Sequence, residues 1–115
     1  MLNISQDTRI VLKLGATDMR KSIHALSYLV EQEMKLNPFD NCMFVFCGKK
    51  KRLIKVLYWD KNGFCLWMKR LENDRFKWPK NKEEMLEINA QEMHWFLHGL
   101  DFTKAYKQKQ FSRVS

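Results

Sequence analysis

Basic residues interleaved with apolar ones set residues 43–79 apart from the rest of the chain. This segment holds ten Lys and Arg residues and three acidic residues, so it carries +7 of the formal net charge of +8. The chain is 45% hydrophobic and 13% aromatic, which excludes a disordered basic tail. A folded, aromatic-rich segment with this charge suits a polyanion, most simply nucleic acid.

The length and composition of the chain predict one cytoplasmic domain. A chain of 115 residues can form a hydrophobic core without disulfide or metal cross-links. We place the domain at residues 1–103, followed by a basic, frayed tail at 104–115. No window approaches the ~20 apolar residues of a membrane-spanning helix, and the N-terminus lacks an apolar signal core. The cysteines Cys42, Cys47 and Cys65 form no Cys-x-x-Cys pair and lie in apolar runs, which predicts buried free thiols.

The N-terminal part of the chain predicts a strand, a helix and a second strand. Apolar and charged residues alternate over residues 9–14, as in a half-buried strand. Apolar residues then recur at helical spacing over about 18–36, with Thr17 and Asp18 as candidate N-caps. The continuous apolar run at 42–47 is typical of an interior strand.

The C-terminal part predicts a short strand and a second helix. Residues 85–88 form the strand, and Asn89 with Glu92 begins a capping box. Gly99 is a natural stop for this helix, which we place at about 90–98. The predicted fold class is α+β, with two helices packed on a sheet.

Two strand-like runs, 52–59 and 64–71, predict a β-hairpin. We expect a three-residue loop in which Gly63 supplies a positive φ. The cross-strand partners would then be Trp59 with Cys65, Leu57 with Trp67, and Lys55 with Lys69. A second turn at Asn73-Asp74 would add a strand ending at Pro79, so that residues 43–79 form an antiparallel meander.

Both faces of this predicted meander carry apolar side chains. The bulkier face is the expected core, and its members are Leu53, Leu57, Trp59, Trp67, Leu71, Phe76 and Trp78. The other face contains Ile54, Val56, Tyr58, Leu66 and Met68. The tryptophans have two interpretations: stacking platforms for bases, as in single-strand binders, or packing residues, which burial statistics favour for Trp59 and Trp67.

The cations of the meander are the candidate nucleic-acid ligands. The run from Lys49 to Arg52 lies on a predicted turn, where adjacent cations reach phosphates without straining a strand. The full candidate set is Lys49, Lys50, Lys51, Arg52, Lys55, Lys69, Arg70, Arg75 and Lys77. The alternative is a solvated loop whose charges only keep the protein soluble.

No catalytic or metal-binding pattern is visible in the sequence. His94 and His98 lie four residues apart, but the Glu of a zinc-protease helix and a third ligand are missing. Asp18, Asp60 and Glu72 are candidate magnesium ligands, although a helix cap and a turn explain the two aspartates. We therefore expect no cofactor, no metal and no enzymatic activity. A small basic ribonuclease would need clustered proton-transfer groups, which the histidine spacing does not indicate.

Several short segments of the chain are distinctive in combination: Thr17-Asp18-Met19-Arg20-Lys21-Ser22, Asn37-Pro38-Phe39, Phe44-Val45-Phe46, Leu57-Tyr58-Trp59-Asp60, Gly63-Phe64-Cys65-Leu66-Trp67, Lys69-Arg70-Leu71-Glu72 and Arg75-Phe76-Lys77-Trp78-Pro79. Together they resemble the TnpB (Orf2-like) accessory proteins of the insertion-sequence-sixty-six transposon family, and the resemblance covers residues 8–102. It implies a bacterial protein encoded beside a separate acidic-triad transposase and needed for efficient transposition. The loop from Lys49 to Arg52 differs from the corresponding loop of relatives, which is richer in arginine and asparagine. The difference keeps the positive charge but weakens the case for bidentate hydrogen bonds to bases.

Together these features predict an accessory factor of transposition that binds DNA without catalysing a reaction. Its expected partners are DNA, at the element ends or as non-specific duplex, and the transposition proteins of the same element. The alternative is a subunit that docks on the transposase, with the basic segment facing an acidic protein surface. Binding of bare DNA by the purified protein distinguishes the two.

Overall fold

One mixed β-sheet and two helices make up the described part of the chain. The computed structural model describes residues 2–80 and 83–99. In chain order the elements are β1 (Arg9–Lys13), α1 (Ile23–Gln32), β2 (Cys42–Cys47), β3 (Leu53–Asp60), β4 (Gly63–Arg70), β5 (Met85–Ile88) and α2 (Ala90–Leu97). The strand order is β4-β3-β2-β1-β5. The predicted α+β class is confirmed, whereas the predicted tail at 104–115 lies outside the described residues.

Parallel pairing of β1 with β2 occupies the middle of the sheet. Arg9 lies opposite Cys42 and Leu12 opposite Val45, and α1 supplies the crossover that parallel neighbours require. All six residues of β2 are buried, which explains why its sequence is a continuous apolar run. β5 adds an antiparallel strand on the other side of β1, and β3 and β4 extend the sheet beyond β2.

The first helix is shorter at both ends than the predicted range 18–36. It begins after Ser22, so Thr17 and Asp18 are not its caps. Asp18 instead accepts a hydrogen bond from the Arg20 N–H at 2.9 Å, a local turn that competes with helix. Beyond Gln32, Lys35 adopts the left-handed conformation at φ 58°, which ends the helical path before Pro38.

The second helix follows its predicted signals closely. Asn89 accepts a hydrogen bond from the Glu92 N–H, and the Glu92 carboxylate accepts one from the Asn89 N–H, so the capping box is complete. Gly99 has φ 79°, as a helix-terminating glycine requires. The predicted helix and its capping box are therefore confirmed.

The hairpin register differs from the prediction by one residue. Asp60 pairs with Gly63, so Lys61 and Asn62 form a two-residue loop, and Lys61 rather than Gly63 takes the positive φ of 50°. The observed partners are Trp59 with Phe64, Leu57 with Leu66, and Lys55 with Met68. A shift of one residue moves every side chain of one strand to the opposite face relative to its partner. The predicted composition of the two faces is consequently wrong.

Both faces of the sheet are covered. On one face α1 buries a cluster that includes Leu26, Phe44 and Leu57. On the other face α2 and the segment after β4 bury a cluster that includes Val56, Phe76 and Phe96, with Trp67 packed against it. The prediction that only one face of the sheet forms the core is therefore wrong, because the layers on the two sides of the sheet each pack against an apolar face.

The segment at 75–79 covers the sheet as irregular chain rather than as the predicted last strand. The Phe76 N–H donates to the Lys51 carbonyl at 2.7 Å, and no strand pairing includes this segment. The rings of Phe76 and Trp78 lie 5.1 and 5.6 Å from that of Phe96, measured between centroids. The meander prediction is thus correct for β2, β3 and β4 only.

Truncation of one ring on each face tests the two-sided core. Phe44→Ala and Phe96→Ala should each lower the free energy of unfolding by about 3–5 kcal/mol, because both side chains are fully buried. Urea denaturation followed by tryptophan fluorescence measures this loss. Tyr28→Ala is the control, since its exposed ring should contribute less than about 0.5 kcal/mol. A cost below about 1 kcal/mol for either phenylalanine would contradict a core on both faces.

Candidate nucleic-acid interface

A tight turn between β2 and β3 presents the run of four cations. The Gly48 N–H donates to the Leu53 carbonyl at 3.1 Å, and the Lys51 N–H donates to the Gly48 carbonyl at 3.0 Å. Lys51 has φ 59°, so the chain reverses sharply at this residue. Lys49, Lys50 and Arg52 are exposed as a result, and Lys51 is half-buried.

Three further cations lie at the same end of the sheet. Arg70 pairs with Leu53 at the end of β4, and the Leu71 N–H donates to the Arg52 carbonyl at 2.8 Å. The bond from Phe76 to Lys51 brings its exposed neighbours Arg75 and Lys77 to the turn. We call these seven cations the basic end of the sheet: Lys49, Lys50, Lys51, Arg52, Arg70, Arg75 and Lys77.

The remaining two predicted ligands, Lys55 and Lys69, are differently placed. Lys55 is only 7% exposed, and its Nζ donates to the Lys21 carbonyl at 3.0 Å. The Nζ of Lys69 donates to the Leu97 carbonyl, at the C-terminus of α2, at 2.8 Å. Both lysines donate to backbone carbonyls from within strands β3 and β4. The basic end is therefore the group of predicted cations that the structure brings together, and Lys55 and Lys69 lie apart from it.

A groove runs between the basic turn and the segment Thr17–Met19. Its volume is about 330 Å³, and its rim carries Lys49, Lys50, Arg52 and Arg70. The Thr17 N–H donates to the Cys47 carbonyl at 2.9 Å, which fixes this segment to the end of β2. Gly48 forms part of the lining, and a Cβ there would lie 2.8 Å from the Met19 Cγ. A larger residue at this position would therefore have to displace the Met19 side chain.

Asp18 is the acidic residue in the lining of this groove. Its carboxylate accepts hydrogen bonds from the Arg20 guanidinium at 3.0 and 2.8 Å. These bonds hold the pKa of the Asp18 carboxyl well below its usual range, so it stays ionised and paired. Sequence reasoning assigned Asp18 to a helix cap and missed Thr17 and Gly48 as groove residues, because the approach of 17–19 to the turn depends on tertiary packing.

The four tryptophans serve packing in this structure. Trp78 is buried, and Trp59, Trp67 and Trp95 are half-buried. Trp59 forms an aromatic cluster with Phe39 and Phe64, whose ring centroids lie 5.0 to 5.2 Å apart. Phe39 is the exposed member at 54%, and apart from the Asn37-Pro38 turn no local pattern indicates this exposure.

The candidate metal ligands His94 and His98 contact each other, and the thiols of Cys42 and Cys47 are buried. The His94 and His98 rings stand edge to face with centroids 4.3 Å apart, and residues 2–80 and 83–99 contain no group of three potential metal ligands. Burial raises the pKa of the Cys42 and Cys47 thiols to about 11, so both stay protonated at neutral pH. Within the same described ranges, no helix is long and apolar enough to cross a membrane.

The fold and the surface define a small α+β protein that has a core on both faces of its sheet and a cluster of cations at one end. Residues 8–107 match the family described as IS66 Orf2-like protein, and the chain belongs to this family. The predicted resemblance is confirmed, and membership associates the chain with insertion-sequence transposition in an accessory role.

Two relatives from Sinorhizobium fredii match most of the chain. The uncharacterized protein y4hO is 37% identical over 102 residues, covering 89% of each chain. The uncharacterized protein y4jC is 30% identical over 113 residues, covering 98% of this chain and 96% of its own. No solved structure matches the chain.

The hydrogen bond from Lys69 to Leu97 predicts that Lys69 contributes to the free energy of unfolding, whereas an exposed cation of the basic end does not. Lys69→Met removes a charge-assisted hydrogen bond and a cation from the C-terminus of α2, so it should lower the unfolding free energy by about 1–2 kcal/mol. Lys50→Met is the matched control and should change it by less than about 0.5 kcal/mol, because Lys50 is exposed. Equal stability of the two variants in urea denaturation would contradict a structural role for Lys69.

Proposed function

We propose that this protein is a non-enzymatic accessory factor of insertion-sequence transposition that binds duplex DNA through the basic end of the sheet. The observation that carries the proposal is the convergence of seven cations from three separate stretches of chain on one end of the fold. Clustered cations on one surface are the electrostatic footprint of a nucleic-acid binder.

The charges of the basic end are available for phosphates. The two ion pairs found among the described residues, Arg9 with Glu87 and Arg20 with Asp18, both lie outside the basic end. Glu72 and Asp74 are exposed nearby, and Asp74 accepts a hydrogen bond from the Arg75 N–H at 2.7 Å. Five units of positive charge remain after these two carboxylates are counted, enough to attract a polyanion at physiological salt.

Binding through phosphates predicts a steep dependence on salt. If five to seven cations each neutralise a phosphate, the slope of log affinity against log salt concentration is about −4.5 to −6.3. Titration of purified protein into element-end and random duplexes at several salt concentrations measures the slope, and the two duplexes should bind with similar affinity. No binding at low salt, or a slope near zero, would contradict the proposal.

A matched pair of triple variants assigns this binding to the basic end. Lys49, Lys50 and Lys51 changed together to Ala should make the slope less negative by about 2.7. Arg9, Lys35 and Lys61 changed together to Ala remove the same charge elsewhere: Arg9 begins β1 at the end opposite the turn, and Lys35 and Lys61 are left-handed residues like Lys51. The control triple variant should retain the full slope, because a distant charge is screened beyond about 10 Å at 0.1 M salt.

The second candidate function is docking on the transposase without direct DNA contact. Phe39, Met68 and Tyr28 are each more than half exposed, and exposed apolar side chains of this size favour a protein partner. Under this alternative the basic end faces an acidic protein surface, and the purified chain binds bare DNA weakly at any salt concentration. The salt titration therefore separates the two functions.

The purified chain should also leave DNA intact in magnesium or manganese. Metal-dependent phosphoryl transfer needs carboxylates that converge on the cations. Asp60 pairs with the first residue of β4, and Glu72 follows the end of this strand, which spans roughly 24 Å. Supercoiled plasmid incubated with the protein should stay unnicked by gel electrophoresis. Nicking that disappears in folded Asp60→Ala or Glu72→Ala variants would make the chain an enzyme.

A further inference from the structure

The groove beside the basic turn differs from an ordinary charged surface. Its floor is formed by Thr17 and Gly48, both buried, whereas its rim carries exposed cations. Cations reach it from two directions: Lys49, Lys50 and Arg52 from the turn, and Arg70 from the end of β4. A ligand seated here would face cations both from the turn and from the end of β4.

The floor of the groove contains a polar atom without a partner. Thr17 is 6% exposed, and its Oγ1 has no hydrogen-bond partner among the described residues. An unpaired buried hydroxyl costs about 1–3 kcal/mol, so such atoms are rare in folded proteins. Because Thr17 also lines the groove, an acceptor oxygen seated there is the candidate partner for this hydroxyl.

The acidic residue of the lining does not oppose an anion. The Asp18 carboxylate is already engaged by the Arg20 guanidinium in a two-bonded pair. The net charge of this pair is zero, so the four rim cations determine the electrostatic character of the groove. A group with several acceptor oxygens and negative charge fits both the floor and the rim, and a phosphate has these properties.

We propose that this groove seats one phosphate of the bound DNA, with the Thr17 hydroxyl donating to a phosphate oxygen and Arg70 and the turn cations neutralising its charge. The proposal rests on the proposed function, which it deepens from a diffuse basic surface to one defined phosphate site. The phosphate is an internal phosphodiester or a 5′-phosphate at a DNA end, since both present the same oxygens.

Two substitutions separate the neutral contact from the charged one. Thr17→Val removes only the hydroxyl, so it should weaken DNA binding by about tenfold or more without changing the salt slope. Its melting temperature should be unchanged or higher, because the lost hydroxyl has no partner in the free protein. Arg70→Gln should weaken binding and also make the slope less negative by about 0.9.

Matched controls lie at the opposite end of the sheet. Thr8→Val removes a hydroxyl beside the start of β1, which is remote from the turn because β1 and β2 run parallel. Lys61→Gln removes a cation from the hairpin loop at the other end of β4. Neither control should change the affinity by more than about twofold. Duplexes with 5′-phosphate and 5′-hydroxyl ends compared on the wild-type protein identify which phosphate the groove takes.

The outcomes distinguish this proposal from the proposed function. Salt-dependent DNA binding that is unaffected by Thr17→Val would overturn the groove and leave the function standing. If the protein binds no DNA, the proposed function fails, and titration with inorganic phosphate followed by amide NMR still tests the groove. Shifts confined to residues 17–19, 48–53 and 70 would support the site. Shifts spread over the surface, or none relative to chloride at equal ionic strength, would overturn it.

Discussion

The cover on both faces of the sheet is the constraint on which the rest of this structure depends. The parallel pair at the centre, β1 with β2, needs a crossover, and α1 provides it while burying one face. α2 and the segment through Phe76 and Trp78 bury the other face. Since the central strands are buried on both faces, a large ligand has access to the edges and ends of the sheet, including the half-buried edge strand β4, rather than to its centre. A single-strand binder that stacks bases on an open sheet has the opposite arrangement.

This constraint separates the cations into two groups with different physical roles. Lysines inside the strands, Lys55 and Lys69, donate to carbonyls of the surrounding layers and contribute to the fold. Cations in the turn after β2 and at the end of β4 remain solvated, and backbone hydrogen bonds hold them at one end. The aromatic cluster of Phe39, Trp59 and Phe64 adjoins the hairpin loop at the other end. The fold thus separates a basic surface from an exposed aromatic cluster at opposite ends of the sheet.

The sequence predicted the elements whose signals are local. The apolar run of β2, the capping box of α2 and the stop at Gly99 each depend on residues adjacent in the chain, and all three are confirmed. The hairpin register failed because a lysine, Lys61, takes the left-handed conformation that Gly63 was expected to adopt. That single residue reversed the face assignment of β4. The parallel pairing and the groove at Thr17 depend on contacts distant in sequence, which periodicity does not report.

Lysine footprinting by mass spectrometry, with and without duplex DNA, tests the binding of DNA at the basic end most directly. An amine-reactive reagent should modify Lys49, Lys50 and Lys77 in the free protein, and DNA should protect all three. Lys35 and Lys61 should stay reactive in both states, and buried Lys55 should be unreactive in both. Protection of Lys35 or Lys61 with Lys49, Lys50 and Lys77 left reactive would contradict the account, because DNA would then bind a different surface.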